Sequence, residues 1–371
     1  MLILGQRVVQ FIGLSILTAL VIAGCNTISK DQFDKNTTTT PSSLANCRKV
    51  KHDVGETKVC GQPQKVVALS AHTLDLLLSL GVQPVGYAAP ITLYRGDRYN
   101  NPAQQIPYLG TRVTSKPINL GRANQPSFEK LVQLKPDLII GESGNKDYSL
   151  FSQIAPTLFW KNRTIKGKWQ QHIRQIAKSL GREEKAKQAI ENYNQRINSA
   201  RIDLAPIIAN YPKLLVLGTD QLQKNILIIN PDSYLGEVLQ GIGFELVFLP
   251  DRKTTKPSIP ISIETLPQLD QADIIIVLGY KLNTEDEQQS SQNRKVKRKI
   301  NQRIENHQLQ TAKKAWSENA IAQSLTASQE GRVYFATYYR WNGLNGPIGT
   351  SLIIQQLRQF LLSNNASNHK P

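Results

Sequence analysis

The sequence SFEKLVQLKPDLIIG at residues 127–141 recurs in the second half of the chain as SIETLPQLDQADIII at residues 262–276. Both copies contain Glu-x-Leu-x-x-Leu, then an aspartate, and then an unbroken apolar run. The serine two residues before each glutamate is a favoured helix N-cap, and two leucines three positions apart give a short helix one apolar face. The apolar run after the aspartate is typical of a strand buried on both faces. The repeated helix–turn–strand unit therefore predicts two α/β lobes of similar build with something held between them.

The first residues predict an exported protein. A single arginine precedes an apolar run, residues 8–23, that is short and one-sided for a transmembrane helix. The run leads into VIAGC at residues 21–25, which resembles a bacterial lipoprotein box, so we expect Cys25 to carry a lipid. A signal anchor with an incidental cysteine is the alternative. We assign residues 1–24 to a signal peptide and 25–46 to a flexible tether, which holds the protein at the outer face of the cytoplasmic membrane, the periplasmic side where an outer membrane exists.

The two remaining cysteines, Cys47 and Cys60, predict a disulfide. An even pair of cysteines in an exported protein usually forms a bridge, because that compartment is oxidising. The sequence DVG at residues 53–55 is a plausible hairpin turn, and counting outward from it puts Cys47 opposite Cys60. Such a bridge would be structural and worth roughly 3 kcal/mol, since it closes a short loop of the unfolded chain.

The formal net charge of +17 would favour a nucleic-acid partner in a cytosolic protein, but export argues against that partner. Part of the excess is local, because lysines and arginines crowd residues 294–303. The surrounding segment, residues 281–312, is polar and charge-rich, so we interpret it as a flexible insertion. The remaining positive charge favours an anionic ligand or membrane head groups.

The order of the other patterns predicts α/β lobes with mainly parallel sheets, because apolar strands alternate with amphipathic helices. The longest helical pattern runs over residues 169–204 and is broken only near Gly181, so we expect it to connect the lobes. The chain is then divided into an N-terminal lobe at 47–166, an interlobe helix at 167–205 and a C-terminal lobe at 206–371.

Enzyme motifs are missing from the sequence. The stretch GESGN at residues 141–145 has asparagine where a nucleophile elbow needs its second glycine, and GIG at 241–243 lacks the third glycine of a dinucleotide fingerprint. The five histidines are scattered without a spaced ligand pair, which argues against a metal site. His72 follows the first strand, where open α/β sheets bind ligands, yet a structural role is the favoured interpretation. We predict no catalytic residue, no resident metal and no cofactor.

With these patterns, the chain resembles the iron-siderophore and cobalamin class of bacterial solute-binding proteins, which feed ATP-driven importers. The matching segments occur in the order of that family and include the repeated unit. The others are QKVVAL at 64–69, LDLLLSLGVQPVG at 74–86, IAPT at 154–157, SLGREEKA at 179–186 and GRVY at 331–334. The resemblance implies two Rossmann-like lobes joined by a single long helix, with the ligand in a cleft between them. It is strongest to ferric-siderophore- and ferric-citrate-binding proteins, so the expected ligand is an Fe(III)–siderophore chelate.

The resemblance also implies a docking role for Glu129 and Glu264, one glutamate in each lobe. Members of this class present such carboxylates to arginine pockets on the two subunits of an ABC permease. Two carboxylates on separate lobes, each near a helix start, would form a two-point electrostatic contact. The plainer interpretation is that each glutamate merely offsets the helix dipole, but the repeated context favours docking.

We expect the cleft to be lined by residues just past the carboxyl ends of strands. Three groups at such positions combine aromatic side chains with cations, which suits a bulky, oxygen-rich, negatively charged chelate. They are Tyr94, Arg95, Arg98 and Tyr99; Trp160, Lys161 and Arg163; and Tyr338, Tyr339, Arg340 and Trp341. Of these, Arg340 and Trp341 are the strongest candidates.

Other ligands and other classes of protein remain open. A cobalamin- or haem-binding protein of the same class is the alternative within the resemblance. An exported metalloenzyme of nitrogenase-like architecture would need a metal-ligand cluster that the sequence does not show. A structural or adhesive lipoprotein is a further alternative, but such a protein would not need a cleft between two lobes. We expect a monomer whose partners are the ferric chelate, the permease dimer and, through its lipid, the membrane.

Overall fold

The computed structural model describes residues 46–89, 101–142, 148–249, 254–280 and 300–362. An antiparallel hairpin of β1 (Cys47–His52) and β2 (Gly55–Cys60) opens the described chain. Cys47 faces Cys60 in the register and the two sulfurs are bonded, which confirms the predicted disulfide. The hairpin packs on the first lobe, where the Nδ1 atom of His52 lies 3.2 Å from the carbonyl oxygen of Phe159.

The N-terminal lobe contains a six-stranded sheet with the strand order β6-β5-β4-β3-β7-β8. Its strands are β3 (Val66–Ala68), β4 (Gly86–Ala89), β5 (Ile118–Arg122), β6 (Gln125–Pro126), β7 (Leu138–Glu142) and β8 (Thr157–Trp160). Its helices are α1 (Ala71–Ser79), α2 (Pro102–Gln105), α3 (Phe128–Leu134) and α4 (Tyr148–Ile154), with a 3₁₀ turn at Gly110–Arg112. All neighbouring strands are parallel except β5 and β6. This sheet has the predicted, mainly parallel arrangement.

The first copy of the repeated unit folds as predicted. The Ser127 hydroxyl accepts the backbone N–H of Lys130 and caps α3, and the buried strand β7 follows. Between them, the Asp137 carboxylate accepts the backbone N–H groups of Gln64 and Lys65, both at 2.8 Å. Those two residues lead into β3, which is the neighbour of β7. The aspartate therefore fixes the start of the adjacent strand.

The second copy has the same order of helix, aspartate and strand, but its helix is more tightly wound. Ile263–Leu269 form a 3₁₀ helix instead of an α-helix, because Pro267 within it has no backbone N–H to donate. Asp273 then accepts the backbone N–H of Lys213 at 2.8 Å, at the start of the strand beside it. Both aspartates of the repeat thus have the same structural role.

Two helices connect the lobes, α5 (Lys168–Leu180) and α6 (Glu183–Asn210). Gly181 separates them with a φ of 63°, a left-handed conformation that favours glycine at the end of a helix. Helix α5 packs on α1 and β1. Helix α6, with 28 residues, is the long helix of the prediction, and it continues through Pro206 to Asn210, past the predicted end at residue 205.

The C-terminal lobe contains a second six-stranded sheet, ordered β12-β10-β9-β13-β14 with β11 beside β9. Its strands are β9 (Lys213–Gln221), β10 (Asn225–Ile229), β11 (Glu245–Leu246), β12 (Ser258–Ile261), β13 (Ile274–Gly279) and β14 (Val333–Thr337). Its helices are α7 (Tyr234–Ile242), α8 (Ile300–Ser317), α9 (Ala320–Ser324), α10 (Thr326–Gln329), α11 (Tyr338–Asn342) and α12 (Pro347–Leu362). Strands β10 and β12 are antiparallel to their neighbours. The connection from β9 to β10 is too short for a crossover helix, so the chain folds back as a hairpin there.

Part of the predicted insertion at residues 281–312 is a packed helix. Helix α8 begins at Ile300, and Gln308, Ala312 and Trp316 are buried at four-residue spacing along one face. The helix packs on β9, β13 and β14. The interpretation as a flexible insertion is therefore wrong for residues 300–312, and residues 281–299 lie outside the described residues.

One hydrophobic cluster is shared by the two lobes. Helices α1 and α12 meet in it, where Leu74, Leu77 and Ile353 are fully or almost fully buried. None of the helices in the described ranges has the length and apolar content needed to cross a bilayer. The shared core holds the lobes together beside a cleft that both of them line.

Candidate functional site

A cleft of about 260 Å³ lies between the two lobes. Glu142 ends β7, Tyr280 follows β13 and Tyr338 follows β14, and all three line the cleft. The cleft is therefore at the carboxyl ends of strands from both sheets, where the sequence predicts it. A wider groove of about 430 Å³ lies between β2 and α4, but both of its walls belong to the N-terminal part of the chain.

Arg163 connects the two lobes across the cleft. Its Nε atom lies 3.2 Å from Oε2 of Glu142, which belongs to the N-terminal lobe. Its Nη1 atom donates to the carbonyl oxygens of Asn342 and Gly343, at 3.3 and 3.2 Å, and to Oδ1 of Asn345. The Arg163 side chain is still 28% exposed, so it remains open to a ligand.

The carboxylate of Glu142 is shielded from solvent. Burial raises the pKa of Glu142, and the nearby guanidinium of Arg163 and the Ser70 hydroxyl oppose this rise. A buried carboxylate next to a partly exposed guanidinium neutralises much of the positive charge of that wall. The pair nevertheless keeps hydrogen-bond donors at the cleft.

Arg340, which the sequence singles out, lies in a second ion pair beside the cleft. Its Nη1 atom is 3.2 Å from Oε1 of Glu305 in α8, and its side chain is only 11% exposed. The guanidinium carbon lies 5.7 Å from the ring centre of Tyr108, which in turn stacks on Tyr339 at 6.0 Å. These contacts put Arg340 between the N-terminal lobe and helix α8.

Two tyrosine rings form an aromatic wall of the cleft. The rings of Tyr280 and Tyr338 meet edge-on at 5.6 Å, and both side chains are partly exposed. The hydroxyl of Tyr338 accepts a hydrogen bond of 2.8 Å from the side-chain amide of Asn342. A ring held in this way offers its face to a bulky ligand without losing side-chain entropy on binding.

The two tryptophans among the predicted ligand residues are in the core instead. Trp160 is fully buried, with its indole N–H donating to Gln175 at 2.5 Å. Trp341 is also fully buried and donates to Gln356 at 2.7 Å. Neither ring lines the cleft in this structure, because the core accommodates both rings and a glutamine side chain accepts each indole N–H.

Several predicted residues lie outside the described residues. They are Cys25 with the whole signal peptide and tether, and the loop residues Tyr94, Arg95, Arg98 and Tyr99. Lys161 is described and exposed, but it is not part of the cleft wall. The described members of the predicted set that line the cleft are Arg163, Tyr338 and Tyr339.

His72 is fully buried at the junction of the lobes. Its Nδ1 atom is 3.0 Å from the carbonyl oxygen of Leu344, and its Nε2 atom is 3.0 Å from Nδ1 of His172. Because the carbonyl can only accept, we assign the His72 proton to Nδ1. Burial lowers the pKa of both imidazoles, that of His172 to about 3, so both are neutral at physiological pH. Among the described residues there is no group of three or more potential metal ligands.

Glu129 and Glu264 are both exposed in the first turn of their helices. The Glu129 carboxylate accepts a long hydrogen bond of 3.4 Å from Gln133. The pKa of Glu264 is lowered by its own backbone N–H and by the Ser262 hydroxyl. Both side chains present negative charge to solvent, one in each lobe.

Some of the buried polar atoms without a hydrogen-bond partner belong to residues at or beside the cleft. Within the described part of the chain, Oε1 of Gln308, the hydroxyl of Tyr339 and Nε of Arg340 are buried without a hydrogen bond. Most buried polar groups in proteins do have a partner, so each exception calls for an explanation. Gln308 and Tyr339 also line the cleft, which makes a ligand or ordered water the natural partner.

Sequence reasoning did not find Glu142, Tyr280 and Gln308, which line the cleft, or Glu305, which pairs with Arg340. Glu142 and Tyr280 directly follow the apolar runs of the repeated unit, so the rule of strand ends could have found them. Glu305 and Gln308 lie in the segment interpreted as an insertion. The four-residue spacing of Gln308, Ala312 and Trp316 was the available signal for a packed helix.

Two α/β lobes, a helical connection and a cleft at the strand ends define a two-lobed solute-binding protein. The chain belongs to the periplasmic binding protein family, whose sequence profile matches residues 66–338. This match covers both sheets and the connection between them.

Curated relatives match over almost the whole chain. The probable siderophore-binding lipoprotein YfiY of Bacillus subtilis is 22% identical over 355 residues, which cover 94% of this chain and 96% of YfiY. The Fe(3+)-citrate-binding protein YfmC of the same organism is 24% identical over 345 residues, covering 92% and 93%. These relatives have the length of this chain as well as its sequence pattern.

Solved structures show the same fold. Staphylococcus aureus SirA complexed with staphyloferrin B aligns with a TM-score of 0.64 and 23% identity, covering 85% of this chain and 98% of SirA. The petrobactin-binding protein YclQ of B. subtilis aligns with a TM-score of 0.61 and 20% identity, covering 85% and 99%. The predicted fold class, two Rossmann-like lobes with a long connecting helix, is confirmed.

Proposed function

We propose that the protein binds a ferric-siderophore chelate outside the cytoplasmic membrane and delivers it to an ABC importer. One observation carries the proposal: the cleft between the lobes combines the partly exposed Arg163 with the rings of Tyr280 and Tyr338. An iron(III) chelate of this kind is bulky, rich in oxygen and often anionic. A guanidinium binds such oxygens through charge-assisted hydrogen bonds, and tyrosine rings cover flat or apolar parts of the chelate.

The relatives support this choice of ligand. The names of YfiY and YfmC state a siderophore and ferric citrate, and the alignments cover more than nine-tenths of this chain. We transfer the ligand class, not the individual ligand. The iron is cargo that enters within its chelate, so the protein needs no set of metal-ligating side chains.

The same proposal gives Glu129 and Glu264 a role in delivery. Both carboxylates are exposed at helix starts, one in each lobe, and neither lines the cleft. Arginine pockets on the two subunits of a permease would pair with them and orient the cleft towards the transport pathway. The partner is thus a permease dimer, and the binding protein acts as a monomer.

Position in the cell follows from the lipoprotein box. We propose that Cys25 carries a lipid after removal of residues 1–24, and that residues 25–46 let the lobes reach the permease. The proposed division into lobes at 47–166 and 206–371 follows the two sheets. Tyr94, Arg95 and Arg98 stay in the proposal as further ligand contacts.

The decisive experiment is a titration of the purified protein with ferric citrate, a ferric hydroxamate, a ferric catecholate, haem and cobalamin, followed by tryptophan fluorescence. We expect saturable quenching by at least one ferric chelate and none by the same chelator without iron. Saturable binding of haem or cobalamin, with no response to any ferric chelate, would assign the protein to a different ligand class.

A further inference from the structure

One carboxylate oxygen joins both lobes to helix α8. Oε1 of Glu305 lies 3.2 Å from Nη1 of Arg340 and accepts a hydrogen bond from the Tyr108 hydroxyl at 3.1 Å. Tyr108 belongs to the N-terminal lobe and Arg340 follows β14 in the C-terminal lobe. Gln308, one turn further along α8, lines the cleft. Glu305 therefore holds its charge one helical turn from Gln308, which lines the cleft.

The two arginines beside the cleft are held in different ways. Arg163 pairs with Glu142 and also donates to three oxygens of residues 342–345. The side chain of Arg340, in contrast, has Glu305 as its hydrogen-bonded partner among the described residues, and its Nε atom is buried without one. Arg163 is fixed by the fold, whereas Arg340 depends on one side chain that could move away.

We propose that Glu305 competes with the ligand for Arg340. Its carboxylate pairs with the Arg340 guanidinium in the way that a carboxylate of an anionic ferric chelate would. This inference rests on the proposed function. The chelate must displace Glu305 or bind beside it, and in either case the like charge of Glu305 opposes an anionic ligand. Glu305 thus lowers the affinity for anionic, carboxylate-bearing chelates and leaves chelates without a free carboxylate almost unaffected.

The geometry makes this competition strong. The side chains of Arg340 and Glu305 are only 11% and 27% exposed, so water screens the pair poorly. The Tyr108 hydroxyl and the guanidinium both donate to the same Oε1 atom, which anchors the carboxylate at the arginine. A ligand has to replace both of these hydrogen bonds to take the place of Glu305.

The test compares Glu305→Gln with the wild-type protein for two probes, ferric citrate and the uncharged cyclic trihydroxamate complex ferrioxamine E. Glutamine keeps the size of the side chain and an oxygen that accepts from Tyr108, but it removes the charge. We expect ferric citrate to bind about tenfold more tightly, the scale of one charge-assisted hydrogen bond, and ferrioxamine E to change by less than about twofold. The matched control is Glu318→Gln, directly after the last residue of the same helix, which removes an exposed carboxylate that pairs with Lys314 at 3.9 Å.

The double variant Glu305→Gln with Arg340→Ala shows whether a gain in ferric citrate affinity depends on the guanidinium of Arg340. It should lose the gain in ferric citrate affinity, because no guanidinium remains to be released. Weaker or unchanged binding of ferric citrate by Glu305→Gln, with a normal unfolding transition, would overturn the inference. If the wild-type protein binds no ferric chelate, the proposed function fails instead, so the two failures are distinguishable.

Discussion

Single residues provide much of the polar contact between the lobes. Asp75 in α1 is fully buried and accepts the backbone N–H of Ile348 at 3.1 Å and that of Gly349 at 2.8 Å, at the start of α12. The Ser79 hydroxyl donates to the same carboxylate at 3.2 Å. A buried carboxylate at a helix start is stabilised by those N–H groups, but it has lost its hydration.

This environment predicts a pH dependence of stability. Burial raises the pKa of Asp75 from 3.8 to about 6, against the opposing hydrogen bonds from Gly349 and Ile348. Because its pKa is higher in the folded state, Asp75 contributes stability that is complete at low pH and is lost as the pH rises through about 6. The corresponding free energy is on the order of 3 kcal/mol.

Urea unfolding between about pH 4 and pH 7 checks this contribution when the wild-type protein is compared with Asp75→Asn. The wild-type free energy of unfolding should fall, relative to that of the variant, as the pH rises. Identical pH profiles for the two proteins would show that Asp75 does not titrate in this range.

Arg163 should contribute both to ligand affinity and to the stability of the fold. Arg163→Gln should weaken binding of an anionic ferric chelate by about 1.5–3 kcal/mol, because a charge-assisted hydrogen bond is lost. It should also destabilise the fold, since Glu142 is then buried beside no opposite charge. Adding Glu142→Gln should restore much of the stability, measured by urea unfolding, but not the affinity. Recovery of affinity in the double variant would mean that Arg163 acts on the ligand only through Glu142.

At the scale of elements, the repeated unit shows how far the sequence could predict the structure. The Glu-x-Leu-x-x-Leu pattern and the apolar run identify both units, because burial of whole strands leaves a local signal. The bond from Asp137 to the start of β3 could not be predicted in this way, since its partners are 72 and 73 residues away. Trp160 and Trp341 illustrate the same limit: a loop aromatic and a core aromatic look alike until the packing around them is known.

The two aspartates of the repeat, Asp137 and Asp273, should each stabilise the fold. Asp137→Ala leaves two backbone N–H groups without their acceptor, and Asp273→Ala leaves one. Both variants should lower the free energy of unfolding, by about 0.5–1.5 kcal/mol for each hydrogen bond lost, with the larger loss for Asp137. Asp232→Ala, which removes an exposed carboxylate, is the control and should stay within about 0.5 kcal/mol of wild type. Equal free energies of unfolding in urea for all three variants would show that Asp137 and Asp273 do not stabilise the fold through these hydrogen bonds.

Ligand binding and delivery to the permease should be separable by mutation. Replacing both Glu129 and Glu264 by alanine should leave ligand affinity within about 0.5 kcal/mol of wild type, because neither side chain lines the cleft. Uptake should fall strongly, since unpaired arginines at a closed interface cost about 2–5 kcal/mol. Charge reversal to lysine should impair uptake further.

The measurement pairs a ligand titration of the purified double variant with uptake of the ferric chelate by cells that carry it. Glu191→Ala on the exposed side of α6 serves as the control. Normal uptake by the double variant would show that the two glutamates do not dock to the permease and only offset the dipoles of their helices. Lost ligand binding would place them in the site instead.

The buried bonds between the lobes also have a mechanical consequence. His72 bonds to Leu344, Asp75 to Gly349, and the backbone N–H of Tyr234 to the carbonyl of Thr164 at 2.7 Å. Pulling the lobes apart would break these bonds in a place where water cannot at once replace them, at a cost of about 1–3 kcal/mol for each group left unpaired. We therefore expect the two lobes to move little relative to each other. We also expect a ligand to enter and leave by small movements at the rim of the cleft, without a wide separation of the lobes.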